Sequence, residues 1–93
     1  MGTYSEALAA RLAAYNLPFT AGSTGGGCMA LILTAPDGSE FTVTNGDADL
    51  PDAEGVTLIH RTDKGGDVVL WEADGVDVAG ASWVIARKVL PLL

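Results

Sequence analysis

Cysteine, histidine and basic side chains are the scarce residues of this chain. A single cysteine, Cys28, excludes an internal disulfide and a multi-cysteine metal site. Five basic residues stand against twelve acidic ones, a net charge of −7, so the basic footprint needed for direct nucleic-acid binding is missing. No apolar run approaches the roughly 18–20 residues of a membrane span. The start, Met1-Gly-Thr-Tyr-Ser-Glu6, has neither the basic lead nor the apolar run of a secretory signal. Only four prolines accompany 48% hydrophobic residues, which argues for a packed core and against disorder. The expectation is one small domain over residues 1–93, located in the cytoplasm, of a size that buries about 60–65% of its unfolded surface.

What is present is clearest between Gly25 and Asn45. Ala35-Pro36-Asp37-Gly38 fits a type I turn: proline presets φ at its second position and glycine takes the left-handed fourth position of a bulge. That turn pairs Ala35 with Ser39, Leu33 with Phe41 and Leu31 with Val43. It leaves Ala30, Ile32 and Thr34 on the other face, with Glu40, Thr42 and Thr44. One face is apolar and the other mostly polar, as in an antiparallel pair with one side in the core. A two-residue Asp37-Gly38 turn would mix the faces, and a slip by one residue exchanges buried and exposed partners.

Thr3-Tyr-Ser-Glu6 reads as a capping box opening a helix. Tyr4, Leu8, Leu12 and Tyr15 share one stripe, with Ala7 beside it. Asn16 suits the left-handed position that ends the helix, Leu17 can return to Leu12, and Pro18 blocks continuation. Leu17 to Ala21 is extended, with the makings of a short edge strand, and Gly22 to Gly27 reads as a flexible link. Asn45 to Gly55 is a surface loop by composition. Val56–Arg61 and Asp67–Ala73 are strands joined through a turn at 63–66. Two registers compete: Leu58 opposite Leu70 with His60 opposite Val68, which is preferred, or Leu58 opposite Trp71 with His60 opposite Val69. Asp77 is a helix cap, and Val78 to Leu90 reads as a helix with Ala79, Trp83, Ala86 and Leu90 on its buried stripe, flanked by Val78 and Ile85. A fifth strand over Ser82–Val89 is the competing reading, because Gly80 and the β-branched residues weaken a helix. The order is α-β-β-β-β-α. It predicts an α+β fold, an antiparallel four-stranded β-meander flanked by an N-terminal and a C-terminal helix packed on one face.

No coherent catalytic set emerges. Cys28 and His60 are the one thiol and the one imidazole, but Cys28 opens an apolar strand, with no helix N-terminus or basic cluster to activate it. His60 alternates with Leu58 and Val56, as a satisfied strand-end histidine does. Asn45, Asp47 and Asp49 have the alternate spacing of calcium-loop ligands, yet an EF-hand loop wants Gly and Glu where Leu50 and Val56 stand. Gly25-Gly-Gly27 lacks the Lys, Ser or Thr and following helix of a phosphate loop. Glu72 and Asp74 beside Trp71, at a strand end, resemble a carboxylate pair next to an aromatic but are weak evidence for acid–base work. Trp71 and Trp83 are expected in the core, although a partly exposed tryptophan makes an interface anchor. No catalytic residue, metal or cofactor is assigned. Nine of the twelve acids fall between Asp47 and Asp77, and the binding surface is placed at Asp47, Asp49, Asp52 and Glu54, with Trp71.

Gly25-Gly-Gly-Cys-Met-Ala-Leu31, followed after the hairpin by Thr44-Asn-Gly-Asp-Ala-Asp-Leu-Pro51, resembles a small uncharacterised family of actinobacteria and their bacteriophages. The resemblance covers the middle third of the chain and an alanine-rich first helix. It brings no catalytic assignment, and it implies an accessory protein made in the host cytoplasm.

The reading is a small acidic accessory protein that binds a protein partner, such as a host factor it modulates, without catalysis. It touches neither membrane nor nucleic acid directly, and an unmatched sheet edge offers a route to a homodimer. Two alternatives stand beside it. One is an acidic mimic of nucleic acid that blocks a DNA-binding protein; the other is a small enzyme using Cys28 and His60.

Overall fold

A computed structural model describes residues 3–25, 27–45, 49–62 and 65–93. Two helices, α1 (Tyr4–Ala14) and α2 (Val78–Val89), flank five strands: β1 (Thr20–Gly25), β2 (Cys28–Thr34), β3 (Glu40–Thr44), β4 (Val56–Arg61) and β5 (Asp67–Ala73). A short 3-10 turn, Leu90–Leu92, follows α2. The strands form one antiparallel sheet in the order β1-β2-β3-β4-β5, a meander with β1 and β5 at its edges. The α+β class and both helices are as expected, but the sheet has five strands, not four.

The additional strand begins at Thr20 and Ala21, in the extended stretch expected to offer an edge strand, and continues through Gly22 to Gly25, which was expected to be a flexible link. Gly and Ser have poor strand propensity, and the β1 sequence Thr20-Ala-Gly-Ser-Thr-Gly25 shows no apolar alternation. What makes it a strand is its partner: Thr20, Ala21, Gly22 and Ser23 pair with Ile32, Leu31, Ala30 and Met29. Gly22 also has a steric reason to be there. A Cβ at that position would lie 3.1 Å from Cδ1 of Ile32.

The central hairpin has the expected register. Leu31 pairs with Val43 and Leu33 with Phe41. In its turn the Ala35 amide donates to the Ser39 carbonyl at 2.8 Å, and Gly38 has φ of 90°. The Asp37 carboxylate accepts from the Ser39 amide at 2.9 Å and from its hydroxyl at 2.6 Å, clamping the turn.

Between β4 and β5 both competing registers occur, joined by a bulge. His60 opposes Val68 and Ile59 opposes Val69, but Leu58 opposes Trp71. Leu70 is the extra residue, and both Leu70 and Trp71 pack against the core as half-buried side chains. A bulge lets two adjacent bulky residues reach toward one face, which strict alternation forbids. The proposed turn residues Asp63 and Lys64 lie outside the described residues.

Both helices cover the same face of the sheet. Leu8 and Leu12 of α1, Ile85 and Val89 of α2, and Leu31, Phe41, Val43, Val56 and Leu58 of the strands form one buried cluster. Leu17 joins it because α1 ends as its sequence directs. Asn16 has φ of 64°, and the Leu17 amide returns to the Leu12 carbonyl at 2.9 Å. Thr3 caps α1, accepting from the Glu6 amide at 3.2 Å.

The second helix forms where predicted and buries Ala86 and the flanking Ile85 as expected, but the rest of the expected stripe is turned outward. Ala81, Ser82, Ile85, Ala86 and Val89 are buried, while Ala79 is exposed, Trp83 is 54% exposed and Leu90 is 46% exposed. Small Ala81, Ser82 and Ala86 let the helix approach its neighbours closely, and Ile85 and Val89 fill the interior between them. Trp83 lies outside, under the Arg87 guanidinium at 4.8 Å from the ring centroid. Asp77 caps the helix, accepting from the Gly80 amide at 2.7 Å. A Cβ at residue 80 would sit 2.9 Å from that carboxylate oxygen, so the glycine that weakened the helix reading makes room for its cap.

Candidate functional site

The acidic loop between β3 and β4 is built on its own side-chain caps. The Asp49 amide donates to the Asn45 side-chain oxygen at 3.0 Å, and the Asn45 amide to the Asp49 carbonyl at 2.8 Å. The Asp49 carboxylate accepts from the Leu50 amide at 2.8 Å. Asp52 accepts from the amides of Glu54 and Gly55 at 2.9 and 3.0 Å, and from the Asn45 side chain at 3.4 Å. Among the described residues of this loop, short polar side chains bond nearby backbone amides in place of a helix or strand ladder. The Gly75 amide ties the loop to the β5–α2 corner through the Ala53 carbonyl at 3.0 Å.

Of the sequence-placed binding residues, Asp49, Asp52 and Glu54 share this loop. Asp49 and Glu54 are exposed and Asp52 is half-buried. Asp47 lies outside the described residues. Trp71 is not part of the loop surface: it stands on β5 opposite Leu58, half-buried against the core.

Next to the loop is a cleft of about 490 Å³. It was not foreseen from the sequence, because its walls come from three distant segments. The start of α1 supplies Tyr4, Glu6 and Ala9, the sheet supplies Ala21 and Leu31, and the loop supplies Leu50, Pro51 and Asp52. Its volume falls within the roughly 300–1,000 Å³ of ligand clefts. The floor is apolar: Leu31 and Pro51 are buried, Leu50 and Ala9 half-buried. Hydroxyls of Thr3 and Ser5 and the carboxylates of Glu6 and Asp52 line the rim, and no cationic side chain is among the lining residues.

Tyr4 reports the electrostatics of this corner. Its hydroxyl donates to the Val76 carbonyl at 2.8 Å. Burial raises its pKa above the ordinary phenol value, and the carboxylates of Asp77 and Asp52 raise it further, since each opposes a second negative charge nearby. The N-terminus of α1 contributes a partial positive charge of about +0.5. Glu6, Asp52 and Asp77 outweigh it.

Cys28 and His60 are not brought together. His60 pairs with Phe41, which pairs with Leu33, so His60 is level with a residue five positions beyond Cys28. At about 3.3 Å per residue that is roughly 17 Å along the strands, with two strand spacings to add across the sheet. Nor is His60 the fully satisfied histidine expected. Its Nε2 is buried with no hydrogen-bond partner, and its ring stacks on Phe41 at 4.3 Å between centroids and 6° between planes. The imidazole serves here as a flat ring in the wall of the core.

A second depression, of about 310 Å³, lies on the sheet face opposite the helices. Ile32, Thr42 and Ile59 form its centre, with Glu40 and Arg61 cross-strand neighbours at one end. Among the described residues no group of three or more His, Cys, Asp or Glu side chains is placed to hold a metal ion, and no helix is long and apolar enough to cross a membrane. No family model, curated protein or solved structure matches this chain.

Proposed function

We propose that this chain is a binding module that recognises a protein partner through the acidic loop and the cleft beside it. The observation that carries the reading is the junction itself. A loop held by its own caps presents Asp49 and Glu54 to solvent directly next to a 490 Å³ cleft with an apolar floor. An apolar centre with a charged rim is the general anatomy of a protein-recognition site. A net charge of −7 adds long-range attraction to a basic surface. An accessory protein of bacteriophage or actinobacterial origin, modulating a host factor in the cytoplasm, is the biological setting this reading fits.

The test is affinity capture with crosslinking from an actinobacterial lysate, together with sizing of the purified chain. A stoichiometric protein partner is expected, and its capture is lost when Asp49, Asp52 and Glu54 are neutralised together to Asn, Asn and Gln. Recovery of free monomer alone in both measurements would remove the proposal. A partner that binds DNA and competes with it for this loop would instead establish the nucleic-acid mimic.

A further inference from the structure

The occupant of the cleft can be specified further, on the footing that the chain is a protein-binding module. We infer that the cleft at the start of α1 takes an apolar side chain of the partner, from a segment in which lysine or arginine flanks that residue. The apolar half of the inference rests on the floor. Leu31, at 2% exposure, is covered mainly by its own neighbours, and Ala9 and Ala21 beside it are small. The apolar surface open to a partner is that of Ala21, which is exposed, and of half-buried Tyr4, Ala9 and Leu50 around the buried leucine. Covering that surface with an aliphatic or aromatic group removes apolar area from water on both partners.

The cationic half rests on charge complementarity. Every ionisable carboxyl at the rim is an acid without a lysine or arginine in the lining, Glu6 on one side and Asp52 on the other. Glu6 is exposed, and its carboxylate accepts from the Thr3 hydroxyl at 3.2 Å through Oε1 and keeps acceptor capacity toward solvent. Asp52 spends Oδ1 on two loop amides and keeps Oδ2 with a single long contact of 3.4 Å to Asn45. The raised pKa of Tyr4, to which Asp52 contributes, agrees with a negative potential in this corner. An anionic ligand would bring a second negative charge beside these carboxylates, and a purely apolar one would leave them without a partner. A basic residue on either side of the apolar one pairs them at the rim, where water still screens the ions and the cost of burial is small.

The experiment is a set of peptide titrations followed by amide NMR shifts of the full chain. The probes are the blocked pentapeptide Lys-Lys-Leu-Lys-Lys, the same peptide with Ser for Leu, and the same peptide with Glu for every Lys. Shifts confined to Tyr4, Ala9, Ala21, Leu31 and Leu50 are expected with the first peptide. Affinity should be about tenfold weaker for the serine peptide, the order expected for losing one partly buried leucine, and undetectable for the glutamate peptide. Ala21→Phe fills the cleft from an exposed strand position and should abolish the shifts. Glu6→Gln keeps the Thr3 hydrogen bond and should weaken binding by about two- to fivefold, as for a rim ion pair.

Equal affinity for the leucine and serine peptides would overturn the inference, leaving only non-specific charge attraction. Shifts at the cleft that grow with protein concentration alone would overturn it in favour of a second copy of this chain. A lysate partner captured equally by the wild type and by Ala21→Phe would overturn it while leaving the binding-module reading intact.

Discussion

Tyr4 joins the two ends of the chain through one hydroxyl, which donates to the Val76 carbonyl just before α2. Replacing it with phenylalanine keeps the ring and loses the bond, so Tyr4→Phe should cost about 0.5–1.5 kcal/mol in urea unfolding at neutral pH. The same residue has a pH signature. Its folded pKa is raised, chiefly by burial and then by Asp77 and Asp52. The native state therefore holds the phenolic proton more tightly than the unfolded state does. That stability is complete below the unfolded value near pH 10 and is lost as the pH rises through the folded value. The wild type should weaken more steeply than Tyr4→Phe between about pH 9 and 11. Asp37 has the opposite sign. The Ser39 hydroxyl, and then its amide, lower the pKa of a fully exposed carboxyl. Its contribution is present above about pH 4 and is lost as the pH falls through the lowered folded value. The urea midpoint of Asp37→Ala should lie below that of the wild type at neutral pH, and the gap should close in strong acid.

At the scale of elements, the informative contrast lies within α2. Asp77 is an exposed cap whose carboxylate holds the Gly80 amide, and Asp77→Ala should cost about 1 kcal/mol. Trp83 is the largest side chain of the helix, yet it stands 54% exposed beneath the Arg87 guanidinium. Trp83→Gln should change stability by no more than about 0.5 kcal/mol in the same thermal or urea measurement. A cost of several kcal/mol would place the tryptophan in the core after all. The periodicity of α2 misled at Ala79, Trp83 and Leu90, because these recur at helical spacing with the buried Ala86 just as Ala81, Ile85 and Val89 recur with one another. Only the space available between helix and sheet separates them. The β4–β5 pair shows the same limit: two registers were each sound locally, and the bulge at Leu70 uses one at either end.

At the scale of the whole molecule, both helices share one core with the sheet, so the domain should unfold as a unit. The Cα radius of gyration of 11.9 Å is close to the roughly 12 Å expected of a compact chain this long. Leu58→Ala, at a position with 0% exposure, should lower stability by about 2–5 kcal/mol, with one transition seen alike by circular dichroism and by tryptophan fluorescence. A separate fluorescence transition that persists in Trp83→Gln, where Trp71 is the remaining tryptophan, would show that β5 melts independently of the core. Local chemistry was enough to locate α1, its cap at Thr3 and its end at Asn16, and to set the β2–β3 register through Pro36, Asp37 and Gly38. Turn and cap residues act on backbone groups a few positions away, and those groups are visible in the sequence. The strand at Thr20–Gly25 and the face of α2 were decided by tertiary structure. Glycine and serine pair as a strand only when a partner edge supplies the hydrogen bonds, and a helix is rotated by whatever must fit beneath it. The cleft was decided the same way. Asp52 was legible as an acid in a loop, but the apolar floor beside it exists only because folding carries Tyr4, Leu31 and Pro51 to one place.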